Sequence, residues 1–164
     1  MSKQKQRNSS SGKSTLWVWL GALGVAAIAG LLFFQTQKPA AAAADIVVYK
    51  SPTCGCCSKW VKHLEESGFT VAAHNRSDMP QIKRTYGVPE QAQSCHTAKV
   101  GGYVIEGHVP ADVIARLLRE KPDIRGLAVP GMPMGSPGME GPRKDPYDIV
   151  ALGRDGSMTV YERR

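Results

Sequence analysis

Apolar positions fall into two regimes along the chain. Leu16 to Phe34, LWVWLGALGVAAIAGLLFF, is an uncharged run with no polar stripe. Beyond Asp45 the apolar residues come in short blocks. DIVVYK, from Asp45 to Lys50, is β-rich and apolar, which predicts a buried strand. SKWVKHLEESG then carries Trp60, Val61 and Leu64 at helical spacing, with Gly68 as a stop. FTVAAHN, Phe69 to Asn75, predicts a second strand. Ser77 or Asp78 can cap a short helix with Pro80 in its first turn, running to about Tyr86 before Gly87. CHTAKV and YVIEGH, split by Gly101-Gly102, predict a hairpin. Pro110 opens ADVIARLLREK, an amphipathic helix with Val113, Ile114, Leu117 and Leu118 on one face. GLAVPGMPMGSPGMEGP is too rich in Gly and Pro for a helix. YDIVALGRDGSMTVYER predicts a final hairpin turning at Arg154-Asp155-Gly156.

The order β-α-β-α-β-β-α, with a cysteine motif where the first strand meets the first helix, resembles the thioredoxin-like fold over about residues 45–121. The expected class is α/β, with a Met/Gly/Pro-rich loop and a C-terminal β-hairpin added. Two regions follow: residues 1–44 as signal peptide or membrane anchor with an alanine-rich spacer, and 45–164 as the folded domain.

Charge sharpens that division. The chain has 164 residues and a formal net charge of +7. Five of the 21 Lys/Arg and none of the 14 Asp/Glu lie in residues 1–44, which leaves the domain nearly balanced. No basic patch argues for nucleic acid. The basic start instead orients the apolar run with its flank in the cytoplasm, delivering the domain to the other side. The run approaches the roughly 20 residues that cross a bilayer. Alanines near Ala40 to Ala44 also permit cleavage by a signal peptidase. The domain is therefore expected outside the cytoplasm, freed by cleavage or tethered by the apolar run.

Three of the four cysteines, Cys54, Cys56 and Cys57, sit within SPTCGCCSKW; the fourth is Cys95. A structural disulfide is one reading. A Cys54–Cys57 bridge closes about four residues, worth about 2 kcal/mol on the chain-entropy estimate, and a bridge to Cys95 about 40 residues, worth about 4 kcal/mol. Three clustered thiols are a poor stapling pattern, since only one of them can make the longer bridge. Dithiol catalysis by Cys54 and Cys57 is a second reading, because a helix N-terminus stabilises a thiolate. Cys56 adds a competing thiol, and the stretch Gln93 to Thr97 lacks the proline that faces such dithiols in thioredoxins; Pro89 lies upstream. Metal is the third reading and the one the pattern favours. If Cys95 approaches the helix start, four soft thiolates converge, a set that selects Cu(I), Zn(II) or iron–sulfur centres. Four thiolates on a single Cu(I) leave about −3 to bury, whereas roughly one Cu(I) per thiolate is neutral. The expected centre is a multinuclear Cu(I) cluster.

Thioethers are soft and do not titrate. Met132 and Met134, in the Gly/Pro loop, are therefore candidate ligands or an entry site, and Met139 a weaker one. Met79 and Met158 read as packing residues. His96 neighbours Cys95 and is a candidate ligand, although regular strand alternation would turn it to the opposite face. His63, His74 and His108 read as surface or satisfied polar residues, with His108 placed to help cap the last helix. Trp60 reads as core. No serine triad, phosphate loop or H-E-x-x-H motif occurs.

CGCC after a strand, SCHTA midway, GHVPADVI before the last helix and LAVPGMPMGSPGME together resemble the CopG-type copper-resistance proteins. The resemblance spans nearly all of Asp45 to Arg164. It implies an exported, thioredoxin-like copper-binding protein, periplasmic and soluble after signal cleavage or tethered to the inner membrane, accompanying copper export and resistance proteins, with Cys54, Cys56, Cys57 and Cys95 holding a copper cluster. It also implies a role in Cu(I)/Cu(II) interconversion. Two modes stay open: a chaperone or store that hands over Cu(I), and an oxidoreductase exchanging electrons with a redox partner. The alternative function is an exported thiol–disulfide oxidoreductase using Cys54 and Cys57.

Overall fold

The computed structural model describes residues 45–164; the expected signal or anchor over 1–44 lies outside the described residues. No helix among the described residues is long and apolar enough to cross a membrane. The elements are β1 (Ile46–Lys50), α1 (Gly55–Glu66), β2 (Val71–Asn75), α2 (Met79–Thr85), β3 (His96–Val100), β4 (Tyr103–Glu106), α3 (Ala111–Glu120), β5 (Gly126–Ala128), β6 (Asp148–Leu152) and β7 (Met158–Arg163). All seven strands form one sheet in the order β2-β1-β3-β4-β5-β6-β7. β1 runs parallel to β2 and antiparallel to β3, and β3 is antiparallel to β4. The predicted mixed α/β class and element order are present, with β5 as an addition.

Strand alternation divides the sheet between two cores. Ile46, Val48, Ala98, Val100, Tyr103, Ile105, Leu127, Ile149 and Ala151 join Trp60 and Leu64 of α1 and Ile114 and Leu117 of α3 in the larger one. Val104, Ala128 and Leu152 form the smaller one with Val88 and Ala92, against which Tyr86 and Met158 pack. Helix α3 buries Val113, Ile114 and Leu117 as its pattern predicts, while Leu118 is half-buried. His63 accepts a bond of 3.2 Å from the Ala111 N–H, so His63 fills the capping position expected of His108. His74 is exposed and stacks on Tyr49.

Register decides what meets at the functional end of the sheet. Lys50, the last residue of β1, lies opposite His96, the first of β3. Thr97 pairs with Glu106 across the β3–β4 hairpin, and the Gly107 N–H bonds the His96 carbonyl at 3.0 Å. Glu106 also pairs with Ala128 of β5. The end of β1, the start of β3, the end of β4 and the start of the Met/Gly/Pro loop therefore share one edge of the sheet.

Candidate metal centre

Cys54 occupies the N-cap of α1, and its Sγ accepts from the Cys57 N–H at 3.3 Å. A sulfur at this position faces the positive end of the helix dipole and unpaired N–H groups. One turn of helix then brings Cys57 back beside Cys54, and the two are joined as a disulfide. Cys56 Sγ lies 3.5 Å from Cys54 Sγ. Cys57 is fully buried, whereas Cys54, Cys56 and Cys95 are half-buried. The four sulfurs all lie within 4.8 Å of one another. The convergence expected of Cys95 with CGCC is thus present, and so is the bridged pair that the dithiol reading requires.

Cys95 is held in place by a buried polar network beneath it. Glu106 Oε1 accepts from the Ser94 N–H at 2.7 Å and from Lys83 Nζ at 2.5 Å. Glu106 Oε2 accepts from Thr97 Oγ1 at 2.7 Å. Glu106 and Lys83 are almost wholly excluded from solvent, so every charge there is paired. Ser94 Oγ also donates to the Gly131 carbonyl, tying the Cys95 turn to the loop. Burial, and next the charge of neighbouring Cys56, push the Cys95 thiol up to about 12.

Two imidazoles complete the surroundings. Cys95 precedes the first residue of β3, so strand alternation does not separate it from His96. The His96 Nδ1 is 3.3 Å from Cys95 Sγ, and the ring packs on Trp60 at a centroid distance of 4.3 Å. The second ring is His108, whose Nε2 lies 3.0 Å from Cys95 Sγ. Burial lowers both histidines, and the charges of His108 and Lys83 lower His96 further. Both rings are therefore neutral near pH 7. The His108 Nδ1 is 2.7 Å from the Pro137 carbonyl, an acceptor only, so Nδ1 carries the proton and Nε2 presents its lone pair to the sulfur. His108 is fully buried with a contact at each ring nitrogen, so of its surface and satisfied-polar readings it takes the second, and it does not cap the last helix. The signal was present in the chain: a hairpin turning at Gly101-Gly102 in this register sets Cys95 opposite His108.

The loop lies directly on the cysteine helix. At Gly138, with φ of +85°, a Cβ would stand 2.7 Å from the Cys56 carbonyl and 2.8 Å from the Trp60 nitrogen. Met132 is 55% exposed, Met134 is half-buried beside Gly141, and Met139 is half-buried. These sulfurs belong to the loop that packs on the first turns of α1 and on His108.

The described residues from Ala92 to Met139 match a family model described as a protein of unknown function, DUF411. No curated protein matches the chain. Two solved structures, both titled copper resistance protein copG, are similar to it. Form 2 is 49% identical, with a TM-score of 0.70, covering 73% of this chain and 96% of that one. Form 1 is 49% identical, with a TM-score of 0.69, covering 73% of this chain and 95% of that one.

Proposed function

The chain belongs to the CopG family of copper resistance proteins, and from that premise we propose that it is a periplasmic copper-binding protein holding several Cu(I) ions on Cys54, Cys56, Cys57 and Cys95. The observation that carries this reading is the convergence of four sulfurs from two separate chain segments within 4.8 Å. Thiolates fit Cu(I), which is soft and accepts low coordination numbers. Sulfurs bridging neighbouring ions also spread charge that a single ion would leave unneutralised. Two electrons and two protons open the Cys54–Cys57 bridge and release the full donor set. His96, Met132 and Met134 are the further donors of this proposal, with the methionine loop as the entry path.

The site supports a redox mode beside storage. A disulfide that takes one electron from each of two Cu(I) ions yields two thiolates and two Cu(II), so the oxidant is already in the chain. The apolar run at Leu16 to Phe34 with its basic flank supports export, as a soluble domain after cleavage or a domain tethered to the inner membrane. Copper export or resistance proteins and a redox partner are the protein partners this role calls for.

The Cys54–Cys57 bond at a helix N-terminus favours a second reading, an exported thiol–disulfide oxidoreductase. Cys95→Ser separates the two. Loss of most bound copper, measured by metal analysis after desalting, is expected for the thiolate cluster. Full copper retention together with unchanged disulfide exchange would support the dithiol enzyme instead.

A further inference from the structure

Three cations crowd the end of the sheet that lies away from the sulfurs. Strand register places them there. Lys50 and His96 mark the metal end of β1 and β3, and Ile46 and Val100 mark the other end. Lys99 lies opposite Val47 and Val104, one step from that other end. Arg125 directly precedes β5, and its carbonyl accepts from the Val104 N–H at 3.0 Å. Arg154 lies in the turn from β6 to β7, and its carbonyl accepts from Arg125 Nη2 at 3.3 Å. Burial, and then the charges of Arg125 and Arg154, lower Lys99, so the three charges stand close enough to repel. We propose that Lys99, Arg125 and Arg154 form a docking surface for anionic lipid headgroups, which seats the domain on the bilayer with its metal centre turned away. The proposal rests on the tethered form of the export reading above and does not depend on copper.

Missing counter-charge is the first support. Arg76, Arg143 and Arg163 each bond a carboxylate. Among the described residues Lys99 and Arg125 have none. Lys99 Nζ donates to the Gly102 carbonyl at 3.0 Å, and Arg125 likewise donates to a carbonyl. The acids near this cluster are already engaged. Asp123 pairs with Arg154, Asp155 accepts from Ser157, and Asp45 accepts from the Thr70 N–H. Headgroup phosphates supply the negative charge that the fold does not. Access is the second support. Lys99 Nζ sits over the Tyr86 ring, 5.6 Å from its centroid, which holds the ammonium in place. The turn beyond it is Gly101-Gly102, exposed and without side chains, so a flat surface can approach closely.

The path of the chain selects lipid as the occupant. β1 starts at this same end, so the chain enters the domain on the side where the cations lie. Only ten residues, Gln35 to Ala44, separate the apolar run from Asp45, a reach of at most about 35 Å. Each basic residue near an anionic surface strengthens association about fivefold, so three of them hold a free protein weakly. A short link raises the effective concentration to the order of millimolar, where a weak contact is well populated. An acidic protein that exchanges copper would instead be expected near the sulfurs, at the opposite end.

The test places the full chain in lipid discs of phosphatidylcholine, alone or mixed equally with phosphatidylglycerol, and follows acetylation of individual lysines by mass spectrometry. Lys99 is expected to react about threefold or more slowly on the anionic discs at low salt. The difference is expected to vanish at about 0.5 M salt, where exposed charges are screened. Lys59 and Lys144, exposed on α1 and in the loop, are expected to react alike on both lipids. Arg125→Gln combined with Arg154→Gln keeps the reporter lysine and is expected to return Lys99 to its neutral-lipid rate, with circular dichroism showing that the variant is folded. Equal Lys99 rates on the two lipids, slowing that the folded arginine variant retains, or equal slowing at Lys59 and Lys144 would overturn the docking surface. Slowing of Lys99 by inorganic phosphate on neutral discs would overturn it in favour of a small-anion site. A chain that separates from neutral discs on gel filtration would overturn the anchor, and tethered docking with it.

Discussion

Glu106 holds the cysteine turn from below. It is fully buried and bonds Lys83, Thr97 and the Ser94 N–H. Glu106→Gln leaves the Lys83 ammonium buried without its counter-charge, which costs about 3 to 5 kcal/mol in comparable pairs. Denaturant unfolding is expected to show a loss of that size. Adding Lys83→Met is expected to recover part of it, because the orphaned charge then disappears. The Cys95 thiol gives a second test at this scale. Its value of about 12 keeps it protonated across the neutral range in the disulfide form, and the thiolate is the nucleophile. Alkylation of Cys95 should therefore rise about tenfold per pH unit from neutrality to about pH 11, without a plateau. A plateau near pH 8, seen by mass spectrometry of the labelled peptide, would contradict the burial argument.

Elements meet here through close backbone approaches. Gly138 sits against the Cys56 carbonyl and Trp60 nitrogen at a positive φ, so a methyl group has neither space nor an unstrained backbone. Gly138→Ala is expected to lift the loop from the first turn of α1 and to lower stability by about 1 to 3 kcal/mol. Faster labelling of Cys56 than in the unmutated chain would report the same displacement; equal rates and stability would refute the packing. This scale also decides what was legible in the chain. CGCC between an apolar run and a helical pattern located β1, α1 and the sulfur centre, because those signals are local. The face of α3 was equally plain from Val113, Ile114 and Leu117. β5 was not, since Gly-Leu-Ala has no β-branched residue and is a strand only because β4 and β6 flank it. The place of His108 beside Cys95 was hidden for a related reason: its partner is set by hairpin register across thirteen residues, which no short window contains. His96 was doubted because alternation was carried back to Cys95, which lies before the strand begins.

At one end of the seven-stranded sheet, sulfurs and imidazoles gather from the start of α1, the start of β3 and the turn after β4, with the Pro137 carbonyl of the loop bonding His108. Side chains drawn from segments so far apart in sequence converge only in the folded chain, so the proposed copper binding is linked to folding. Copper at 100 times its dissociation constant is expected to stabilise the reduced domain by about 2.7 kcal/mol for each independent site, read as a higher denaturation midpoint. The central claim is that the crowded sulfur builds a multinuclear Cu(I) centre. Its most direct test is an anaerobic Cu(I) titration of the reduced chain, with copper counted per protein and thiols probed by alkylation. The account predicts tight binding of several Cu(I) ions and protection of all four cysteines. Absence of tight copper, with a rapidly exchanging Cys54–Cys57 disulfide, would contradict it.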